Sequence, residues 1–567
     1  MRLPNLLATR NGRLAAFFAL YMTEGIPLGF AITAIATYLR RLGVGPAEIG
    51  AFVGSFYVPW AFKWAFGPLV DVFRSQRFGH RRAWILGTQF LMALTLASLV
   101  LLDLPSQLGL FTGILLLHNT IAAMQDVAID SLACNTLKAD ERGLGNGMMF
   151  AGAAIGQAVG GSGVLFLTPV TGFQPTFFFV AGAILMVSVF VVLPMKEAVV
   201  TQAAQAAGVV GSGLRHAAAE MKAFSVEAFR SFLGSRGAYM GLWSSLLPAG
   251  AMSLGLALQS NLSVELGLND EQVATLQLWS NVLSAGAMVL GGWMSDRYGR
   301  RLTLAIFFAL MSLPVLYLAQ VLQTHGYVMP RLPEAKGAID PALVFALWVA
   351  TLSFSVFMGL QYGVRTATMM DVTNPKVAAT QFTAYMAVSN LAIALSATWQ
   401  GQAIEAFGYP ITLLIDALVG LVVILTVPFL KPAQPGEPDL AAARARRLCM
   451  VLALLCASWV PFSLWGDQLG GGKDIVGIFY TLIFVGGALV LLAGTAIVPR
   501  DTLTRWMPWV ALLLLILYAR RWVPPEWALQ AQWVLGTVAL AGAASLARMA
   551  GRDWSGLSAV TGAPAAP

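Results

Sequence analysis

A few ionisable residues stand inside long apolar stretches, and their types suit the handling of charge rather than the making of bonds. Glu24, Lys63, Asp126, Asp130 and Arg365 each fall in such a run. A charged side chain in hydrocarbon costs at least about 2.5–3.5 kcal/mol and marks a functional position by default. Asp126 and Asp130 are four residues apart and share one helix face, with His118 two turns further along it. Three carboxyls against Lys63 alone leave an excess of negative charge, so one carboxyl is expected to hold a proton when no cationic ligand is bound. Glu24 or Asp126 is expected to take up and release that proton, with Lys63 paired to the other. Asp130 reads as an ion-pair residue near the interface, facing a loop cation such as Lys138 or Arg142. His118 reads as a hydrogen-bonded packing residue. Arg365 has no carboxylate within a turn and suits an anionic group on a ligand. Gln125, Tyr362 and Gln381 join it as expected ligand contacts.

Helices in a bilayer must hold these residues. The chain has 567 residues, of which 58% are apolar and 11% charged, against roughly 25% charged in a soluble protein. A soluble enzyme is excluded. Windows of about 20 apolar residues, the length that crosses a bilayer, fall at 14–39, 49–70, 83–102, 109–131, 145–168 and 175–194. Six more follow at 238–260, 271–294, 302–323, 341–369, 380–399 and 408–430. With the N-terminus in the cytoplasm, the inner segments of these spans carry 22 Lys and Arg and the outer ones only Arg40, Arg41, Arg331 and Lys336. That bias fits the positive-inside rule and accounts for the net charge of +8 without nucleic acid. Pro27, three residues after Glu24, is expected to break the first span where a cavity needs exposed backbone. Glycines 152, 156 and 160 form a small-residue stripe on which helices can approach and slide.

The spans divide into two similar halves. Gly292, Asp296, Arg297, Gly299, Arg300 and Arg301 follow the eighth span, and Gly67, Asp71, Arg81 and Arg82 follow the second. Each copy has a Gly four residues before an Asp, then a Gly followed by basic residues, and the two Asp residues lie 225 apart. A carboxylate at a helix C-terminus faces the negative end of the dipole and needs a nearby Arg. Duplication in register points to a gating motif in a protein whose two halves rock.

These residues resemble the signature loop of the major facilitator superfamily. That resemblance covers about residues 14–430 and implies two six-helix bundles around a central cavity. Glu24-Gly25-Ile26-Pro27-Leu28-Gly29, Gly79-His80-Arg81-Arg82-Ala83-Trp84, Met124-Gln125-Asp126-Val127-Ala128-Ile129-Asp130 and Ala379-Thr380-Gln381-Phe382 are similar to the peptide/acetyl-coenzyme A transporter family, in particular its AmpG-type muropeptide permeases. One departure is that Ser245 and Pro248 stand where the permeases carry a Lys and an Asp. The resemblance implies a proton-coupled inner-membrane importer of muropeptides, with acetyl-CoA, a siderophore or another organic anion as alternative cargo. A membrane-embedded transferase or a sensor is the competing class.

The expected organisation is an all-α membrane protein with a six-helix bundle at 1–195, a cytoplasmic linker at 196–237, a second bundle at 238–430 and a second linker at 431–447. Four additional helices follow at 448–548, and a disordered tail at 549–567. The basic start runs into the first span without a cleavage site, so the first helix is expected to stay. Cys134, Cys449 and Cys456 are scattered and read as packing residues. No Walker motif, cofactor loop or metal-ligand spacing is present, and the protein is expected to act as a monomer with small-molecule substrate, protons and lipid as partners.

Overall fold

The computed structural model describes residues 5–66, 70, 79–137, 142–196, 230, 232–331, 340–373, 378–432, 440–498, 501–502, 504–516 and 527–557. Among these the regular structure is all helical. The first half holds α1 (Arg10–Arg41), α2 (Pro46–Ala61), α3 (His80–Leu99), α4 (Leu108–Thr136), α5 (142–171) and α6 (Pro175–Val192). In the second half the seventh span is split into α7 (Arg236–Leu246) and α8 (Ala257–Glu265). Then come α9 (Asp270–Tyr298), α10 (Arg300–Thr324), α11 (Pro341–Asp371) and α12 (Ala378–Val422), which turns at Gly408 with φ 79° and so contains two spans. The C-terminal helices are α13 (Ala441–Ala457), α14 (Gly472–Ile497), α15 (Met507–Ile516) and α16 (Ala528–Ala550).

Local chemistry sets several of these starts. Thr9 accepts from the Gly12 N–H at the head of α1, and Asn269 with Gln272 forms a reciprocal capping box at α9. Pro46 and Pro175 occupy the first turns of α2 and α6, where a missing N–H costs nothing.

Pro27 does not break α1, contrary to the sequence expectation. The helix runs on through a π-helical stretch at Phe30–Ile35, which absorbs the lost hydrogen bond by widening one turn. The break falls in the seventh span instead, between Leu246 and Ala257. There Pro248 leads to Gly250 at φ 83°, and buried Asp416 of α12 accepts from the Met252 and Ser253 backbone N–H groups (2.9 and 3.0 Å) and from Gln400 Nε2 (2.8 Å). A carboxylate thus replaces the helical acceptors that the break removes.

The glycine stripe of α5 lies within the first half, against α1. A Cβ on Gly152, Gly156 or Gly160 would come within 2.1, 2.6 and 1.8 Å of the Phe18, Met22 and Ile26 carbonyl oxygens. Gly25 and Gly29 of α1 face the Ala153 and Gln157 carbonyls in return. The two backbones are therefore in direct contact, as small residues permit between membrane helices.

By contact, the chain forms two compact units. One comprises Met1–Met221, Ser244–Thr368 and Tyr385–Pro428, and the other Lys222–Trp243, Met369–Ala384 and Phe429–Pro567. In the second unit α13, α14, α15 and α16 share a core with Trp459, Tyr480, Phe484 and Trp554. Residues 549–557, expected to be disordered, are folded there: Trp554 is buried and donates from Nε1 to the Met549 carbonyl (3.0 Å). Cys449 and Cys456 are free and buried.

Gly160→Val is expected to destabilise the detergent-solubilised protein by about 1–3 kcal/mol through overpacking. Gly113→Ala, where nothing lies within 4 Å of an added Cβ, should leave the thermal midpoint unchanged or slightly raised.

Candidate substrate and proton site

The charged residues of the first half converge. Lys63, just past the end of α2, donates to Asp126 Oδ2 at 2.8 Å, and its Nζ lies 3.8 Å from Asp130 Oδ2. Tyr21 donates its hydroxyl to Asp130 Oδ1 at 2.6 Å. Asp130 therefore turns to Lys63 and Tyr21. Its expected loop partner Lys138 lies outside the described residues, as does the side chain of Arg142. Glu24 is buried beside the carboxyl of Asp126 and feels the charges of Asp126, Asp130 and Lys63. Its Oε1 has no hydrogen-bond partner.

The second half contributes Tyr362 and Arg365 from α11. The Tyr362 ring packs edge-on against Phe150 at 5.9 Å, and Phe150 against Tyr21 at 6.2 Å. Tyr362 also lies within electrostatic range of Lys63 and Asp126. Arg365 donates to Ser389 Oγ at 2.9 Å, while its Nε is unpartnered. The side chain of Asp130 is 43% exposed and Tyr362 39%, so this face of the cluster is not covered by the protein.

Two expected contacts are placed differently. Gln125 is fully buried and donates to Thr23 Oγ1 at 2.6 Å, part of a chain that continues through Gln89 to Ser188. Gln381 is buried within the second compact unit. His118 is buried against Thr95 Oγ1 (2.9 Å) and the Met92 carbonyl (3.2 Å), as a packing residue.

At the end opposite the N-terminus the halves are clasped by residues that the sequence reading treated only as loop charges or passed over. Arg40 Nε and Nη2 donate to Glu265 Oε1 (2.9 and 2.5 Å). Tyr409 donates to the same oxygen (2.6 Å), and Tyr327 with the Arg331 N–H to Oε2 (2.8 and 3.0 Å). The Arg40 and Glu265 side chains are 2% and 0% exposed. Burial and the neighbouring Glu265 carboxylate raise the Tyr327 phenol above its ordinary pKa, which keeps it a donor. Arg41 pairs with Asp270 (2.8 Å), and Glu405 accepts from the Ala47 N–H (2.9 Å).

Gly67 and Asp71 of the first gating motif lie outside the described residues, as does the side chain of Asp296. The arginines that are described tie helix ends together within each half. Arg81 donates to Ser131 Oγ (2.9 Å), Arg82 to the Val192 and Leu193 carbonyls, and Arg301 to the Pro428 carbonyl (3.4 Å). Arg297 is exposed, Arg300 is half-buried beyond the turn, Gly292 sits inside α9, and Gly299 ends that helix at φ 92°. Among the described residues no group of three His, Cys, Asp or Glu is placed to hold a metal ion.

Twelve described helices are long and apolar enough to cross a membrane; α2, α15 and the two parts of the split seventh span fall short of that length as described, and α12 counts once. Two helical halves joined at one end, with ionisable residues gathered between helices, define a multi-pass membrane transporter. The sequence profile of the major facilitator superfamily matches residues 14–258 and 241–551, and the chain belongs to that superfamily. Within it, part of the chain is similar to AmpG-type permeases. It is 30% identical over 157 residues to the anhydromuropeptide permease of Escherichia coli (strain K12), a stretch covering 27% of this chain and 31% of that one. It is 26% identical over 198 residues to "Putative transporter AmpG 4" of Rickettsia conorii (strain ATCC VR-613 / Malish 7), covering 34% and 48%. The matched stretches thus span less than half the length of these relatives. The fold is similar to the D-xylose-proton symporter (TM-score 0.54, 13% identity, 74% of this chain and 98% of that one) and to the nucleoside transporter NupG (TM-score 0.53, 15% identity, 74% and 99%).

Lys63→Met leaves Asp126 buried without its cation and is expected to cost about 3–5 kcal/mol. Adding Asp126→Leu should restore most of the loss. A double-mutant cycle on thermal midpoints measures the coupling.

Proposed function

We propose that this protein is a proton-coupled permease of the inner membrane, N-terminus inside, that imports muropeptides by alternating access. The observation that carries the coupling is the Lys63–Asp126 ion pair. With Asp126 held by Lys63, Glu24 is the buried carboxyl of the cluster left to bind and release a proton. Two carboxyls side by side repel unless one is protonated, so occupancy of Glu24 by a proton and strength of the Lys63 pair are linked. A ligand that reaches Tyr362 and Arg365 from the first half draws the halves together at the same depth.

Alternating access is supported by the asymmetry between the two ends. The outer pair is 2% and 0% exposed, whereas Asp130 at the inner side is 43% exposed. This is the pattern of a state closed outward and accessible inward. The muropeptide cargo rests on the AmpG-like relatives, and Arg365 suits a carboxylate on the peptide stem. An acyl-CoA remains the second reading, because the same Arg would suit a phosphate.

Uptake of a labelled anhydromuropeptide in a strain lacking its own permease tests both. The protein should accumulate the label, a protonophore should abolish accumulation, and excess acetyl-CoA should not compete. Competition by acetyl-CoA moves the cargo to the acyl-CoA class. Glu24→Gln is expected to lose proton-driven accumulation by at least about tenfold while retaining exchange of label across the membrane. Undiminished accumulation in both Glu24→Gln and Asp126→Asn rejects the coupling role.

A further inference from the structure

The outer closure buries more polar surface than its ion pairs use. On α8, Gln259, Ser260, Asn261 and Ser263 are 3%, 1%, 1% and 0% exposed. Three of them are partnered. Gln259 Nε2 donates to Ser263 Oγ (3.3 Å), Ser263 Oγ to the Gln259 carbonyl (2.8 Å), and Ser260 Oγ to the Ile32 carbonyl of α1 (3.2 Å). Asn261 is not: neither Oδ1 nor Nδ2 meets a partner. On the facing helix, Thr37 is 0% exposed and its hydroxyl is also unpartnered.

Register places these two residues at one level. Asn261 precedes Glu265 by one turn on the same face, Thr37 precedes Arg40 by about one turn, and Arg40 and Glu265 are bonded. Both helices run toward the clasp, since Ser260 meets Ile32 further in. Thr37 and Asn261 therefore lie just inside the clasp.

A side-chain amide buried with none of its hydrogen bonds made is costly, and a leucine would serve better if the position were always dry. The cost is recovered only if the amide meets water or ligand in another part of the cycle. We infer that Asn261, with Thr37, forms a neutral amide-and-hydroxyl subsite that binds the hydroxyl and acetamido groups of a saccharide when the clasp is open. An amide offers two donors and an acceptor, which matches an acetamido group, and neither residue carries a charge to attract an ion. The subsite is separate from the ionised cluster: Thr37 is thirteen residues from Glu24 along α1, roughly 20 Å. The inference rests on the permease reading and assigns the sugar end of the cargo to the outer vestibule.

The test is anhydromuropeptide uptake by Asn261→Leu. The expected result is a KM raised about tenfold with the maximal rate retained, together with a raised thermal midpoint, because the unpaired amide is gone from the closed state. A KM within about twofold of wild type overturns the subsite. Should Asn261→Leu fail to reach the membrane, Asn261→Cys in a chain with Cys134, Cys449 and Cys456 replaced by Ser decides. It should react with a membrane-impermeant maleimide added outside, and anhydromuropeptide should protect it; absence of labelling or of protection overturns the subsite. A wild type that accumulates no anhydromuropeptide refutes the permease reading itself, whereas normal wild-type uptake with an unaltered variant refutes the subsite alone.

Discussion

Everything at the centre of the first half follows from how Lys63 is neutralised. An ammonium in a low-dielectric interior is tolerable only beside an anion, and Asp126 supplies it at 2.8 Å. The pair binds the end of α2 to α4, and Asp130, one turn on, is steadied by the Tyr21 hydroxyl of α1. Three helices are thus fixed by one cation and the two carboxylates it faces. Glu24 then sits beside a carboxyl already engaged, and its own Oε1 has no hydrogen-bond partner.

The opposite end is held by a different use of charge. Glu265 accepts from Arg40, Tyr409, Tyr327 and the Arg331 N–H, so the desolvated pair has its lone pairs satisfied, the condition under which a buried ion pair is worth having. Because Arg40 and Glu265 belong to different halves, this network ties one half to the other. The arginines at the inner ends, Arg81, Arg82 and Arg301, bond within their own half.

Much of this was legible in the residues. Apolar runs located the spans because hydrocarbon thickness dictates their length, and the scarcity of charge singled out Glu24, Lys63, Asp126, Asp130 and Arg365, of which the structure pairs Lys63 with Asp126 and sets it 3.8 Å from Asp130. Gln125 was misleading because a motif gives a residue's identity and not the direction of its side chain; its amide is taken up by Thr23. Pro27 was misleading because a helix can absorb a missing donor by widening one turn, while the break at Pro248 depends on Asp416, 163 residues further along the chain from Ser253. The clasp left a signal that was not used. Arg40 and Glu265 are 225 residues apart, the same offset that separates the duplicated Asp71 and Asp296, so the two halves place opposite charges at equivalent positions.

The long first helix has a mechanical consequence. It carries Glu24 and Arg40 on one continuous hydrogen-bonded rod, sixteen residues apart, or about 24 Å, and the bare glycine seam against α5 stiffens its lower portion. Such a rod acts as a lever arm. A tilt of about 10° at the carboxyl would displace the guanidinium by roughly 4 Å on that length, enough to part a hydrogen bond, so a small movement at the depth of Glu24 would be felt at Arg40 without any intermediate relay.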